Sequence, residues 1–194
     1  GIDVIVTDHH TIHGAPPSPV ALVNPKAQAS QYPYQELTGV GIAFKLAQAL
    51  YEELGEELPS DLMELVALGT VADVGPLTGE NRYLVKEGIE RINASVNPGI
   101  RALASVAGYE MGSLDASSLS FGLIPRLNAA GRLGHSGISL DLLTSNDINR
   151  ATAIASELEL QNRRRQSLTE SGVAQADAQI RRQHPTDTPS LVVV

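Results

Sequence analysis

Between Asp147 and Gln183 the chain has no proline and a single glycine, Gly172, and this freedom from helix breakers constrains the fold more than any other feature. The stretch predicts one helix, opened by Asn146 or Asp147 and stopped before His184-Pro185. At ~1.5 Å per residue it would reach roughly 55 Å, longer than a compact domain needs. Ile148, Ala151, Ile154, Ala155 and Leu158 are gathered in its first half, and beyond Gln161 it is mostly polar. The early half should therefore pack on a folded body, and the later half should run through solvent as a strut.

Extended structure is predicted in short pieces. Residues 2–6 form a β-branched run broken only by Asp3, consistent with a buried parallel strand. Pro16, Pro17 and Pro19 mark a loop, after which residues 20–23 form a second extended segment that Asn24-Pro25 ends. Helical periodicity follows over 37–54, with Val40, Phe44, Ala47 and Leu50 or Tyr51 on one face and Gly55 as the stop. Further helices are expected over 61–70 behind Ser60, 80–92, 98–107 capped by Asn97, 117–124 and 138–144. The class is α/β, with parallel strands first and helices almost everywhere after.

The 42% hydrophobic content is mainly aliphatic, with two Phe and no Trp, so Leu, Val, Ile and Ala must build the core. The absence of Cys excludes disulfides, Cys-ligated zinc and a thiol nucleophile. No apolar stretch approaches the ~20 residues that cross a bilayer, and a cytoplasmic location away from membranes is expected. The net charge of −8 argues against a protein that coats polyanions. Charge is unevenly placed, however, with eight basic against six acidic residues from Arg126 to Arg182. Any nucleic-acid contact belongs in that half.

Three segments could carry chemistry. Asp8, His9 and His10 stand where a parallel strand ends, and the carboxyl edge of such a sheet is where α/β proteins place ligands. Alternation along an extended chain sends neighbouring side chains to opposite sides, which would separate the roles of the two histidines. Imidazole is a common metal ligand, and a nearby carboxylate can fix its tautomer. Taken alone, the triplet fits a solvated surface turn equally well. Asp73 ends the apolar segment 67–73 and needs compensation for its charge. A divalent metal would supply it, and so would backbone amides in a turn with Gly75-Pro76. In residues 125–132, Arg126, Arg132 and Asn128 flank small side chains, a composition that lets backbone and guanidinium approach a phosphate. Arg163, Arg164 and Arg165 diverge around a helix and read as a solvated face. Gly39-Val40-Gly41 lacks the third glycine of a dinucleotide fingerprint, since Phe44 stands there.

In this order, the segments VIVTDHH, ELTGVGIAFKLAQAL, LVALGTVADVGPLTGENRYLV and PRLNAAGRL resemble the DHH phosphoesterase family, and within it the RecJ-like single-strand-specific exonucleases. The resemblance covers nearly the whole chain. It implies a Rossmann-like DHH domain and a metal-dependent phosphodiesterase that degrades single-stranded DNA from its 5′ end, in repair and recombination. Two Mn²⁺ or Mg²⁺ ions, ~3.5 to 4 Å apart, would clamp the scissile phosphate. Carried over by position, His9 and Asp73 would be metal ligands, His10 would face the phosphate, and Asp8 would act on the ligands from behind. Asn128 and Arg132, with Arg126 less firmly, would contact the substrate phosphate.

The same resemblance implies an aspartate pair upstream of Gly1 and a glycine-rich, substrate-binding domain downstream. On this expectation, residues 1–146 are the C-terminal part of a DHH catalytic domain, 147–184 are an interdomain connector helix, and 185–194 begin a second domain. Such an internal fragment would be inactive by itself. Two alternatives stay open: a DHH phosphoesterase acting on short oligonucleotides or small phosphate compounds, and a non-catalytic nucleic-acid-binding scaffold of the same fold.

Overall fold

The computed structural model describes residues 1–14, 18–132 and 137–183. Two short parallel strands, β1 (Ile5–Thr7) and β2 (Ala21–Val23), pair Ile5 with Ala21, Val6 with Leu22 and Thr7 with Val23. Seven α-helices follow: α1 (Gly39–Leu54), α2 (Leu62–Ala72), α3 (Gly79–Asn93), α4 (Pro98–Ala107), α5 (Ile124–Arg132), α6 (Gly137–Leu143) and α7 (Ile148–Gln183). The class is α/β, mostly helical after a small parallel sheet, as expected. The expected buried strand is not: Ile2 is 91% exposed, and Val4 and Ile5 are also exposed. β1 pairs with β2 alone among the described residues and leaves its apolar face open.

Local signals account for most helix ends. The Thr38 hydroxyl accepts from the Gly41 amide at the start of α1, and Gly55 closes that helix in the left-handed region. Asn97 Oδ1 accepts from the amides of Gly99 and Ile100. Ser60 does not cap α2, which starts two residues later behind Asp61 without a side-chain cap. Asp147 starts α7 by accepting from the Asn149 amide.

α2 is the central element. Val66 packs into a cluster with Leu37, Ile42, Phe44 and Leu84, while Ala67, Leu68 and Val71 join the larger cluster of Ile92, Ile100, Leu103, Leu119, Leu123, Leu142 and Leu158. Only the first half of α1 is buried this way. Ile42 joins Phe44 in the interior, and of the two residues expected at the far end of that face Leu50 is exposed and Tyr51 is half-buried. On α7, Ala151, Ala155, Leu158 and Asn162 are buried, and nothing after Asn162 is. The expected division of that helix into a packed and a solvated half holds, although Ile148 is exposed. No described helix is long and apolar enough to cross a membrane.

The helix expected over 117–124 also departs from the regular pattern. Residues 118–123 form a π-helical turn that leads directly into α5. Pro125 has no amide to donate, and its ring opposes a regular preceding turn, so the chain widens there. The Arg126 guanidinium makes up part of the loss by donating from Nη1 to the Gly122 carbonyl at 2.7 Å. The segment 125–132 is consequently helical.

Candidate metal centre and phosphate-binding segment

β1 ends at Thr7, and the chain turns at once. The Asp8 amide donates to the Val23 carbonyl at 3.0 Å, the last rung of the parallel pair. Buried Asn24 then fixes the backbone beyond it: its Nδ2 donates to the His10 carbonyl at 3.0 Å, and its Oδ1 accepts from the Lys26 amide at 2.8 Å. From the sequence Asn24 reads only as a strand stop. The position that would have disclosed its second task is the one directly after β2, beside the end of its parallel partner.

Because the turn ends the extended geometry, His9 and His10 do not point to opposite sides. Their ring centroids are 4.3 Å apart, with planes inclined by 48°. They nevertheless take different partners. His10 Nδ1 lies 2.7 Å from Asp8 Oδ1. That hydrogen bond holds the Asp8 carboxyl below its ordinary range, against a smaller opposing effect of burial. His9 Nδ1 faces Asp73 Oδ2 at 3.5 Å.

The approach of Asp73 to His9 is built by the packing of α1 on α2. Thr38 Oγ1 and Thr70 Oγ1 are 3.1 Å apart in the interior, joining the start of α1 to the end of α2. Gly69 lets α1 come close, since a Cβ there would stand 2.7 Å from Val40 Cγ1. Gly75 does the same six residues on, beyond the end of α2, where a Cβ would meet Thr38 Cγ2. Between these contacts the chain passes through Val74, which has φ 56°, a left-handed conformation that a β-branched residue rarely adopts. The result is a cleft of about 300 Å³ lined by His9, Gly39, Val40, Gly69, Ala72 and Asp73. It lies between the amino end of α1 and the carboxyl end of α2. The former favours anions and the latter favours cations.

The donor set fits a divalent ion. Asp8, His9 and His10 offer ligand atoms within 4.8 Å of one another, and Asp73 adds a carboxylate oxygen next to His9. Neighbouring ligands of an octahedral cation with bonds of about 2.1 Å lie about 3.0 Å apart, so His9 and Asp73 need only a small side-chain adjustment to share one. Imidazole nitrogen with carboxylate oxygen suits Mn²⁺ and is tolerated by Mg²⁺.

A second cleft, of about 400 Å³, opens on the other side of the α2 terminus. Val71, Ala72, Val74, Ser120, Phe121, Ile124, Pro125, Asn128 and Arg165 line it. Ala72 belongs to both clefts. Asn128 is exposed here, within reach of an occupant. Arg132 closes α5, and its side chain lies outside the described residues. Arg126 is placed differently from expectation: its Nε meets Glu159 Oε2 of α7 at 2.6 Å, and the two side chains are only 13% and 14% exposed. Its guanidinium is used within the protein and does not line the cleft. Glu159 also accepts from exposed Arg163 at 2.6 Å.

Residues 1–70 match the model of the DHH family, N-terminal domain. The chain is 38% identical over 192 residues to the single-stranded-DNA-specific exonuclease RecJ of Bacillus subtilis, a match that covers 99% of this chain and 24% of that protein. It is 45% identical over 171 residues to RecJ of Thermus thermophilus, covering 88% of this chain and 25% of the relative. The crystal structure of the Thermus thermophilus RecJ in complex with Mn²⁺ superimposes with a TM-score of 0.78 at 41% identity, over 97% of this chain and 27% of that one. A crystal structure of exonuclease RecJ bound to manganese gives 0.82 at 44% identity, over 92% and 45%. The chain thus spans about a quarter of the length of these two curated relatives. The family model covers β1, the Asp8 to His10 turn, α1 and α2 as far as Thr70, and along nearly all of its length the chain is similar to RecJ proteins.

Proposed function

We propose that this chain is part of a metal-dependent exonuclease that hydrolyses phosphodiester bonds in single-stranded DNA from the 5′ end, in the cytoplasm, during repair and recombination. The observation that carries the reading is the 3.5 Å approach of His9 to Asp73 beside a cleft that shares Ala72 with the one holding Asn128. A cation site and a phosphate-contacting amide on adjoining clefts are what phosphodiester hydrolysis requires. The likeness to RecJ proteins and to their Mn²⁺-bound structures supports it.

His9 and Asp73 would hold the ion, which would supply Lewis-acid withdrawal of charge from the scissile phosphate and a lowered pKa for an attacking water. Asp8 fixes the ring of His10 through Nδ1, so Nε2 is the nitrogen turned to substrate. With a proton on both ring nitrogens, His10 donates from Nε2 to a non-bridging phosphate oxygen, where negative charge gathers during displacement. Asn128 and Arg132 hold that phosphate from the α5 side, and α7 serves as the connector to the protein's substrate-binding region.

The test is product analysis with the complete protein and Mn²⁺ on 5′-phosphorylated single strands, the corresponding duplex and dinucleotides. Mononucleotides released from the single strand in preference to the other two are expected. Preference for the dinucleotide would replace this reading with a small-substrate phosphoesterase, and no hydrolysis with intact strand binding would replace it with a scaffold.

A further inference from the structure

Phe121 is 79% exposed on the wall of the second cleft, although Leu119, Gly122 and Leu123 of the same π-helical turn are buried. Val74, 88% exposed and strained, forms part of the same wall. Two apolar side chains thus face the cleft a short distance from Asp73, with Ser120, Asn128 and Arg165 as its polar groups.

Arg165 is unlike its two neighbours. Its Nε and Nη2 donate to Oδ1 of Asn162 at 3.2 and 3.0 Å, and Asn162 is only 2% exposed. A buried amide therefore orients this guanidinium, while Arg163 is drawn off by Glu159 and is exposed. Among the described residues, Nη1 is the Arg165 nitrogen left to an occupant of the cleft. An arginine held in advance loses less side-chain entropy on meeting a phosphate than a free one does.

We infer that this cleft is a nucleotide subsite for a single strand, in which Phe121 stacks on an unpaired base, with Val74 at the base's edge, and Arg165 binds the adjoining phosphate. This rests on the nuclease reading and deepens it by naming the residues that read single-strandedness. A base inside a duplex cannot present its face to Phe121; a splayed base can. The cleft volume of about 400 Å³ is in the usual range for small-ligand sites, ~300–1,000 Å³. Because Ala72 lines both clefts, a strand seated here continues directly to the His9 and Asp73 cleft. Arg165 stands on α7 and Phe121 on the turn before α5, so the strand bridges the long helix and the domain body.

The experiment is a fluorescence-anisotropy titration of the chain with labelled oligothymidylate and with an abasic strand of equal length, across a range of salt. Phe121→Ala removes little buried surface, since the residue is 79% exposed, and should leave the fold intact. It should weaken binding of the base-bearing strand by about 5- to 100-fold and leave the abasic strand unchanged. Arg165→Gln should weaken both strands and reduce the salt slope by about one. Equal loss on both strands with Phe121→Ala, no loss on either, or no binding by the unaltered chain would overturn the inference. In that case hydrolysis of single strands by the complete protein would still stand, and only absence of that hydrolysis removes the underlying reading.

Discussion

Arg126 and Glu159 meet at 2.6 Å with both side chains largely buried, and this pair ties α5 to the long helix α7. Removing one partner of a buried pair leaves the other charge desolvated. Arg126→Ala also deprives the Gly122 carbonyl of its side-chain donor at the π-turn. We expect a stability loss of about 2 kcal/mol, moderated because Arg163 remains on Glu159. Urea denaturation measures it. Phosphate affinity lost at unchanged stability would instead return Arg126 to the substrate-binding group.

His9→Ala should remove metal-dependent turnover in the complete protein, because it takes away the donor that Asp73 faces. His10→Ala leaves that pair in place, so it should lower kcat while Mn²⁺ affinity is kept. Calorimetric titration with Mn²⁺ beside a turnover assay separates the two. Equal loss of Mn²⁺ affinity in both variants would sink the division of labour between the two histidines.

The division was only partly legible in the sequence. Strand end, triplet and Asp73 could be picked out as separate segments, because each carries its own local signal, and so could the Asn97 cap and the extent of α7. The opposite pointing of His9 and His10 was not realised, because alternation ends with the last ladder bond from Asp8 to Val23. Nor was the helicity of 125–132 legible: the helix expected over 117–124 stops before Pro125, yet the turn before that proline widens and the helix continues. What joins the segments is nonlocal. The Thr38 and Thr70 hydroxyls, the Gly75 approach and the Asn162 clamp on Arg165 depend on which helices pack together, and no local pattern discloses that.

Val74→Gly should stabilise the protein. The side chain is exposed, so little burial is lost, while a β-branched residue at φ 56° is relieved of strain. Glycine's greater freedom in the unfolded chain takes back part of the gain. A net rise of roughly 0.5–1 kcal/mol is expected, read as an increased Tm. A lowered Tm would show that Val74 is held by packing, not strain.

Glu64 is buried under Ser95, whose hydroxyl donates to it at 2.9 Å. Burial pushes its carboxyl above the ordinary value of 4.5, with the Ser95 hydrogen bond working the other way. The folded state therefore binds the proton more tightly than the unfolded state. Stability contributed by Glu64 is greatest below the unfolded value and falls as pH rises through the folded one. Glu64→Gln keeps an acceptor for Ser95 and carries no charge, so it should raise Tm at pH 7 and lose that advantage below pH 4.5. Thermal melts of both proteins from acid to neutral pH test this, and a gain that is constant with pH would refute it.

Asn24 touches none of the proposed ligands, yet it holds the turn that presents them. Asn24→Ala leaves the His10 carbonyl without its donor and the Lys26 amide without its acceptor, at a cost of about 1–3 kcal/mol for buried groups. Asn24→Asp keeps the acceptor for Lys26 but cannot donate to His10. If the amide acts by fixing the Asp8 to His10 backbone, both variants should bind Mn²⁺ more weakly in the complete protein, and Asn24→Asp should recover stability without recovering metal affinity. Recovery of both together would mean that the Lys26 side of Asn24 matters to the site, and that the His10 carbonyl is held well enough by β1 and β2 alone.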